Sequence, residues 1–228
     1  MVAADALSVG GFEPFSTQDW PGRLAAVVFV QGCPWRCSYC HNPGLQSQCA
    51  PQAGLRWADL RARWRTRIGL LDGLVFSGGE PTLDPALPSA LAEVREVGLA
   101  TALHTAGVSA AHLSRVLPLL DWVALDIKAA PPQLPALTGA PGSVRETARA
   151  LQLVQQSGVA YELRTTWHPR WLPEPALLML AGSTYGALVM AAAVLGLASG
   201  SDGSLSAFLA RFYFGGRLYG QASGTQML

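Results

Sequence analysis

The sequence predicts an α/β fold in which a parallel sheet is covered by helices and closes only part of the way round. Three observations lead to it. Five short apolar runs recur between residues 25 and 166, separated by segments whose apolar residues keep helical spacing. The connections between them are short, as βα units require. And 228 residues fall short of the ~250 of a complete eight-fold barrel. A partial barrel or an open doubly wound sheet fits.

Each element has its own warrant. Residues 12–23 are turn-rich and read as a lead-in. The run AAVVFV (25–30) is a buried strand that ends in a loop containing Cys33, Cys37 and Cys40. A helix is expected over 57–68, with Trp57, Leu60, Trp64 and Ile68 on one stripe and four arginines mostly elsewhere. Leu74, Val75 and Phe76 form the second strand, which ends in Ser77, Gly78, Gly79, Glu80, Pro81 and Thr82. The next helix carries Leu87, Leu91 and Val94, and Pro85 and Pro88 confine its start to the first turn. Residues 100–104 are the third strand, closed by Thr105, Ala106 and Gly107, and 109–119 is helical in pattern. The fourth strand, 122–127, delivers Asp126 and then Lys128. Ser143 followed by Glu146 reads as a capping box, Gly158 as that helix's stop, and 159–166 as the fifth strand. Beyond the alternation there is no repeat of fixed period.

Bulk composition narrows the function. Half the residues are apolar, enough for a substantial core, and a net charge of +1 without like-charge runs gives no footprint for nucleic acid. Four cysteines are too few for a disulfide-stapled scaffold. Clustered as three plus Cys49, they suit metal binding in a reducing compartment. Residues 1–15 lack the basic start and apolar core of a signal peptide, so a cytoplasmic location is expected.

In parallel α/β folds ligands bind at the carboxyl ends of strands, and here each end delivers unusual chemistry. Cys33, Cys37 and Cys40, at spacings of four and three, can converge on one metal site but cannot all pair with each other as disulfides. Three thiolates can hold a four-iron cluster and leave one iron without a protein ligand. A zinc site completed by His41 or Cys49 is the alternative on residues alone. The strand period of two puts Asp126 with Lys128, and Glu162 with Arg164, on common faces. Taken singly, each feature has a plainer reading. The charged pairs would be structural ion pairs, Gly78-Gly79 a tight turn, Trp35 a cover for its loop, and Cys49 an incidental thiol. His41, His104 and His168 say nothing individually. Their joint occurrence on consecutive strand ends favours a ligand site.

The CxxxCxxC spacing with Tyr39, followed by a Gly-Gly-Glu turn, resembles the radical S-adenosylmethionine superfamily. More narrowly, FSTQDWPGR (15–23), QGCPWRCSYCHNP (31–43), VFSGGEPT (75–82), LHTAG (103–107), LDWVALDIKA (120–129) and YELRTTWHP (161–169) resemble the glycyl-radical-enzyme activases, in particular those of anaerobic ribonucleoside-triphosphate reductase. The resemblance implies a six-stranded partial (β/α) barrel over residues 1–180, with a [4Fe-4S] cluster and S-adenosylmethionine at its mouth. Reductive cleavage of the sulfonium there gives a 5′-deoxyadenosyl radical that takes a hydrogen atom from a glycine of the partner enzyme. An electron donor such as flavodoxin or ferredoxin is implied as well. On this resemblance Cys33, Cys37 and Cys40 ligate iron and Tyr39 packs near the adenine. Gly78 and Gly79 admit the cofactor to the backbone, and Glu80 lies near its ammonium. Asp126 and Lys128 meet its polar groups, Arg164 adds a second cationic contact, and His104 and Thr105 complete the set. His104 stands where relatives often carry an acid. A small-molecule enzyme such as a relative of 7-carboxy-7-deazaguanine synthase, and an inactive or zinc-binding relative, are the competing functions.

Past about residue 180 the resemblance stops. Only Asp202, Arg211 and Arg217 are charged among residues 181–228, and 176–200 carries no charge. A divergent helix and strand, an uncharged stretch touching a membrane, and a tail unrelated to the family's compete. The composition break favours the unrelated tail.

Overall fold

The computed structural model describes residues 2–47 and 54–166, with positions 175 and 214–215. Its sheet runs in chain order. β1 (Val9–Ser16) pairs antiparallel with β2 (Ala25–Val30), which is followed in parallel by β3 (Gly73–Gly78), β4 (Ala100–Thr105), β5 (Trp122–Asp126) and β6 (Ala160–Arg164). A two-residue β7 (Phe214–Gly215) pairs antiparallel with β6. Helices α1 (Trp57–Arg65), α2 (Leu87–Glu96), α3 (Ala110–Val116), α4 (Leu134–Thr138) and α5 (Ser143–Gln156) connect the parallel strands. This is the parallel-dominated α/β sheet expected, consistent with a partial barrel.

Strand alternation sorts the side chains onto two faces. On one, Val28, Phe76, Leu103, Leu125 and Leu163 join Trp57, Leu60, Leu87, Leu91, Leu113 and Val154 of the helices in the main core. Each such buried aliphatic side chain stabilises the fold by roughly 1.5–3 kcal/mol. The opposite face is lined by small residues, Ala25, Val27, Val75, Ala102 and Ala124. Their size leaves room for Trp20, from the β1–β2 loop, to stack on Trp122 with ring centroids 6.0 Å apart and planes at 20°. Residues of the FSTQDWPGR stretch thus cover this second face.

Several expectations need correction. The lead-in opens as a strand, β1. Gly10, Gly11 and Pro14 lower its strand signal, and all are tolerated because β1 lies at the edge of the sheet. Helix α1 ends at Arg65, so Ile68 leaves the stripe and is 48% exposed, while Trp57, Leu60 and Trp64 are wholly buried. The capping box does not form. Gly142 is the N-cap of α5, and Glu146 instead accepts a hydrogen bond from Ala110 N at 3.1 Å, holding the first turn of α3 beside the N-cap Ser109. Helix–helix packing outbids the local box because α3 and α5 lie side by side. Gly158 does stop α5, with φ 74° just beyond the C-cap Ser157. The short helix α4 carries no periodic signal long enough to read. Cys49, His168 and the readings of 176–200 lie outside the described residues. Among the described residues no helix is long and apolar enough to cross a membrane.

Candidate cofactor site

The cysteine loop leaves β2 at Val30 and is held by backbone bonds on two sides. Gly32 N donates to Leu45 O at 2.8 Å and Cys33 N to Gln46 O at 3.3 Å, while Arg36 N and Ser38 N donate to Thr138 O (2.8 Å) and Leu137 O (3.2 Å) at the end of α4. Gln31, nearly buried, adds bonds from Nε2 to Gly44 O and Ser47 O. Trp35 is buried beneath the loop at 4% exposure, and the Arg36 guanidinium reaches back to Cys33 O at 2.6 Å. The three thiols are free and half-buried. Burial pushes Cys33 up to about 11, opposed by a bond to the Trp35 backbone, and the neighbouring charges of Glu80, Cys37 and Cys40 push the same way. Burial also raises Cys37, where Lys128 pulls against it.

This donor set fits an iron–sulfur cluster. It is all sulfur, and a cationic iron core would relieve the mutual repulsion of its thiolates. His41 is exposed and Cys49 lies outside the described residues. Among the described residues no three His, Cys, Asp or Glu side chains close round a single-ion position.

Tyr39 turns from the loop to the end of β5. Its hydroxyl donates to Lys128 O at 3.3 Å, and Lys128 Nζ lies 5.9 Å from the ring centroid. Burial raises the phenol above its ordinary range. Lys128 Nζ donates to Asp126 Oδ2 at 2.7 Å, with side chains 18% and 35% exposed. Burial opposes the charge on both, yet each partner's charge prevails, so Asp126 is held low and Lys128 high. This ion pair faces the thiols across Tyr39.

Deeper on the small-residue face, the register aligns Ala124 with both His104 and Glu162, and Asp126 with Arg164. Arg164 Nε donates to Glu162 Oε1 at 2.6 Å, and its guanidinium covers the Trp122 ring at 5.3 Å. Burial raises Glu162, and Arg164 opposes the rise. His104 Nε2 lies 2.7 Å from Asp19 O and Nδ1 3.3 Å from Ser77 Oγ. The shorter contact puts the proton on Nε2, donating to the carbonyl, and leaves Nδ1 to accept from Ser77. Arg164 Nη1, 3.2 Å from that same Nε2, then meets a donor, so Glu162 is what holds the guanidinium. Burial, followed by the charge of Arg164, pulls His104 down to about 4.

Gly78, Gly79 and Glu80 lie against the cysteine loop. Gly79 N donates to Val30 O and Glu80 N to Gly32 O, both at 2.8 Å. Gly78 takes φ 116°, and a Cβ there would lie 2.5 Å from Val30 N. The Glu80 carboxylate is 1% exposed and bonded to Thr82, Thr105 and Ala106. The structure therefore brings Cys33, Cys37, Cys40, Tyr39, Asp126 and Lys128 to one rim. It places His104 and Arg164 in a layer below, and turns Glu80 and Thr105 toward each other. Sequence reasoning missed Asp19 and Ser77 as the partners of His104, because their contacts join chain positions that no spacing rule links.

A profile described as the Radical SAM superfamily matches residues 27–170. The pyruvate formate-lyase-activating enzyme of Clostridium pasteurianum is 36% identical over 126 residues, covering 53% of this chain and 52% of that protein. A putative glycyl-radical enzyme activating enzyme of Methanocaldococcus jannaschii is 28% identical over 175 residues, 73% of this chain and 70% of that one. The chain spans about half the length of the pyruvate formate-lyase-activating enzymes it matches, 52% and 50% in two cases. Among solved structures, archaeal TYW1 aligns at TM-score 0.48 with 13% identity, over 69% of this chain and 59% of that one. With the family profile covering more than half of its residues, this chain belongs to the radical SAM superfamily, and that membership implies a [4Fe-4S] cluster and S-adenosylmethionine as its cofactors.

Proposed function

We propose that the chain is an activating enzyme that introduces a glycyl radical into a partner protein, with an anaerobic ribonucleoside-triphosphate reductase-like enzyme as the partner. The observation that carries the reading is the juxtaposition, linked by Tyr39, of three free thiols with a half-buried Asp126–Lys128 pair at the carboxyl ends of β2 and β5. Relatives named as pyruvate formate-lyase and glycyl-radical enzyme activating enzymes support it, as does the FSTQDWPGR stretch laid over the small-residue face.

In this reading Cys33, Cys37 and Cys40 hold the cluster as thiolates. Lys128 offers its ammonium to a carboxylate and Asp126 its other oxygen to an ammonium, so the pair opens onto a zwitterion without net change of charge. Tyr39 covers one side of that position and keeps water from it. Arg164, already committed to Glu162, sets the floor beneath. When bound, cluster and S-adenosylmethionine together supply reductive cleavage of the sulfonium, and with it hydrogen-atom abstraction from glycine. No side chain is assigned as a general acid or base.

Anaerobic reconstitution with iron and sulfide, then reduction with S-adenosylmethionine present, tests the reading. A brown protein with a four-iron spectrum that releases 5′-deoxyadenosine is expected. Co-incubation with a glycyl-radical reductase should then give a glycyl EPR doublet. Cleavage without that doublet would overturn the activase assignment, and a colourless protein holding zinc would overturn the enzyme itself.

A further inference from the structure

We infer that Glu80 is a positioning residue, a strap joining three strand ends, which acts on S-adenosylmethionine through the backbone it holds and not by touching the ammonium. This deepens the proposed function and rests on it for the identity of the cofactor.

The carboxylate is enclosed. Oε1 accepts from Thr82 Oγ1 at 2.6 Å, from Thr105 Oγ1 at 2.6 Å and from Thr82 N at 3.3 Å, and Oε2 accepts from Ala106 N at 3.0 Å. Three donors crowd Oε1 and Ala106 N takes one position on Oε2, and at 1% exposure neither oxygen opens to solvent. Thr105 Oγ1 in turn accepts from Gly107 N at 3.0 Å, so its own proton can go only to Glu80. All four donor groups aim at the carboxylate and favour its ionised form, against the burial that raises its proton affinity. An ammonium arriving at Oε1 would have to displace one of these donors and orphan a buried N–H or hydroxyl, a costly exchange, and burial closes off Oε2.

The reach of the residue is the second argument. Its own amide donates to Gly32 O at 2.8 Å, one residue before Cys33. Its side chain ends on Thr105, the last residue of β4, and Ala106 just after it. A single residue at the end of β3 therefore sets the cysteine loop, the Gly78-Gly79 turn and the Thr105–Gly107 turn against one another. No lysine or arginine contacts the carboxylate, so hydrogen bonds alone hold its charge among the described residues.

Glu80→Gln and Thr105→Val test this in two arms. In cluster-free protein, hydrogen–deuterium exchange at the Ala106 and Gly107 amides should rise about tenfold or more in each variant, the scale of a lost bond to a charged group, with α1 unchanged. Unchanged exchange at those amides in the two variants would overturn the strap. This arm needs no cofactor, so it stands even if the chain proves not to cleave S-adenosylmethionine. In reconstituted protein, Kd is measured for S-adenosylmethionine and for its analogue lacking the amino group. The strap predicts that Glu80→Gln weakens both by the same factor. Weakening confined to the amino-bearing ligand would show direct contact and overturn the inference. Thr105→Val keeps the Glu80 charge, so it preserves the test if Glu80→Gln does not fold.

Discussion

Replacing Gly79 by alanine should destabilise the protein before any cofactor is added. A Cβ at Gly79 would overlap Gly32 O and lie 2.7 Å from Gly32 C and 2.9 Å from Leu45 O. All three obstacles are backbone, so no rotamer change relieves them. Overpacking of this kind costs about 1–3 kcal/mol. Relief by separating the loops would also stretch the 2.8 Å bonds from Gly79 N to Val30 O and from Glu80 N to Gly32 O, at about 0.5–1.5 kcal/mol each. The expected loss is about 2–6 kcal/mol, or roughly 4–24 °C in Tm for a domain of this size. Gly44 is the control, because a Cβ there meets nothing within 4 Å. Gly44→Ala should stay within about 0.5 kcal/mol of the parent. Urea denaturation of the two cluster-free variants under anaerobic, reducing conditions makes the measurement, and iron content after reconstitution reports whether Cys33, next to Gly32, has moved. If Gly79→Ala is as stable as Gly44→Ala and fails only in binding S-adenosylmethionine, the close approach serves the cofactor and not the two loops, and the steric reasoning is wrong.

Three further outcomes are expected. Arg164→Ala leaves Glu162, 5% exposed, without its 2.6 Å partner, and should cost about 3–5 kcal/mol in urea denaturation, whereas a loss below about 1 kcal/mol would mark the pair as replaceable. His104, held down to about 4 from an ordinary 6.5, is neutral when folded and binds a proton more readily when unfolded; its contribution is therefore complete above about pH 6.5 and disappears as pH falls toward 4, up to about 3 kcal/mol. His104→Gln should flatten the stability profile in that window, and an unchanged slope would show that other groups cause it. Tyr39→Phe removes only the 3.3 Å bond to Lys128 O and keeps the ring beneath Nζ, so it should cost about 0.5–1 kcal/mol in thermal unfolding; a drop several times larger would mean the hydroxyl holds the whole loop.

The misreadings have physical causes. β1 was hidden because an edge strand tolerates the two glycines and the proline that a central strand would not. The Ser143–Glu146 pair met the spacing of a local cap, but the Ser143 amide donates to Ala140 O and the carboxylate bonds Ala110 of the adjacent helix. Ile68 satisfied the stripe arithmetic of α1, yet the helix had already ended at Arg65. For β1 and Glu146 a neighbour distant in sequence set the result, and for Ile68 a local turn did.

What the chain order alone determined is the kind of fold and the chemistry at its rim. Apolar runs of strand length alternate with amphipathic segments, and that pattern admits few arrangements besides a parallel sheet under helices. The spacing of Cys33, Cys37 and Cys40, and the period-two pairing of Asp126 with Lys128, are local quantities legible without coordinates. Only the tertiary structure decided how those groups are occupied. His104 is bound to Asp19 and Ser77, and Glu80 to the end of the next strand. Hydrogen bonds of buried polar groups are settled by which donors the folded backbone brings within about 3 Å, and no sequence spacing encodes that distance across strands.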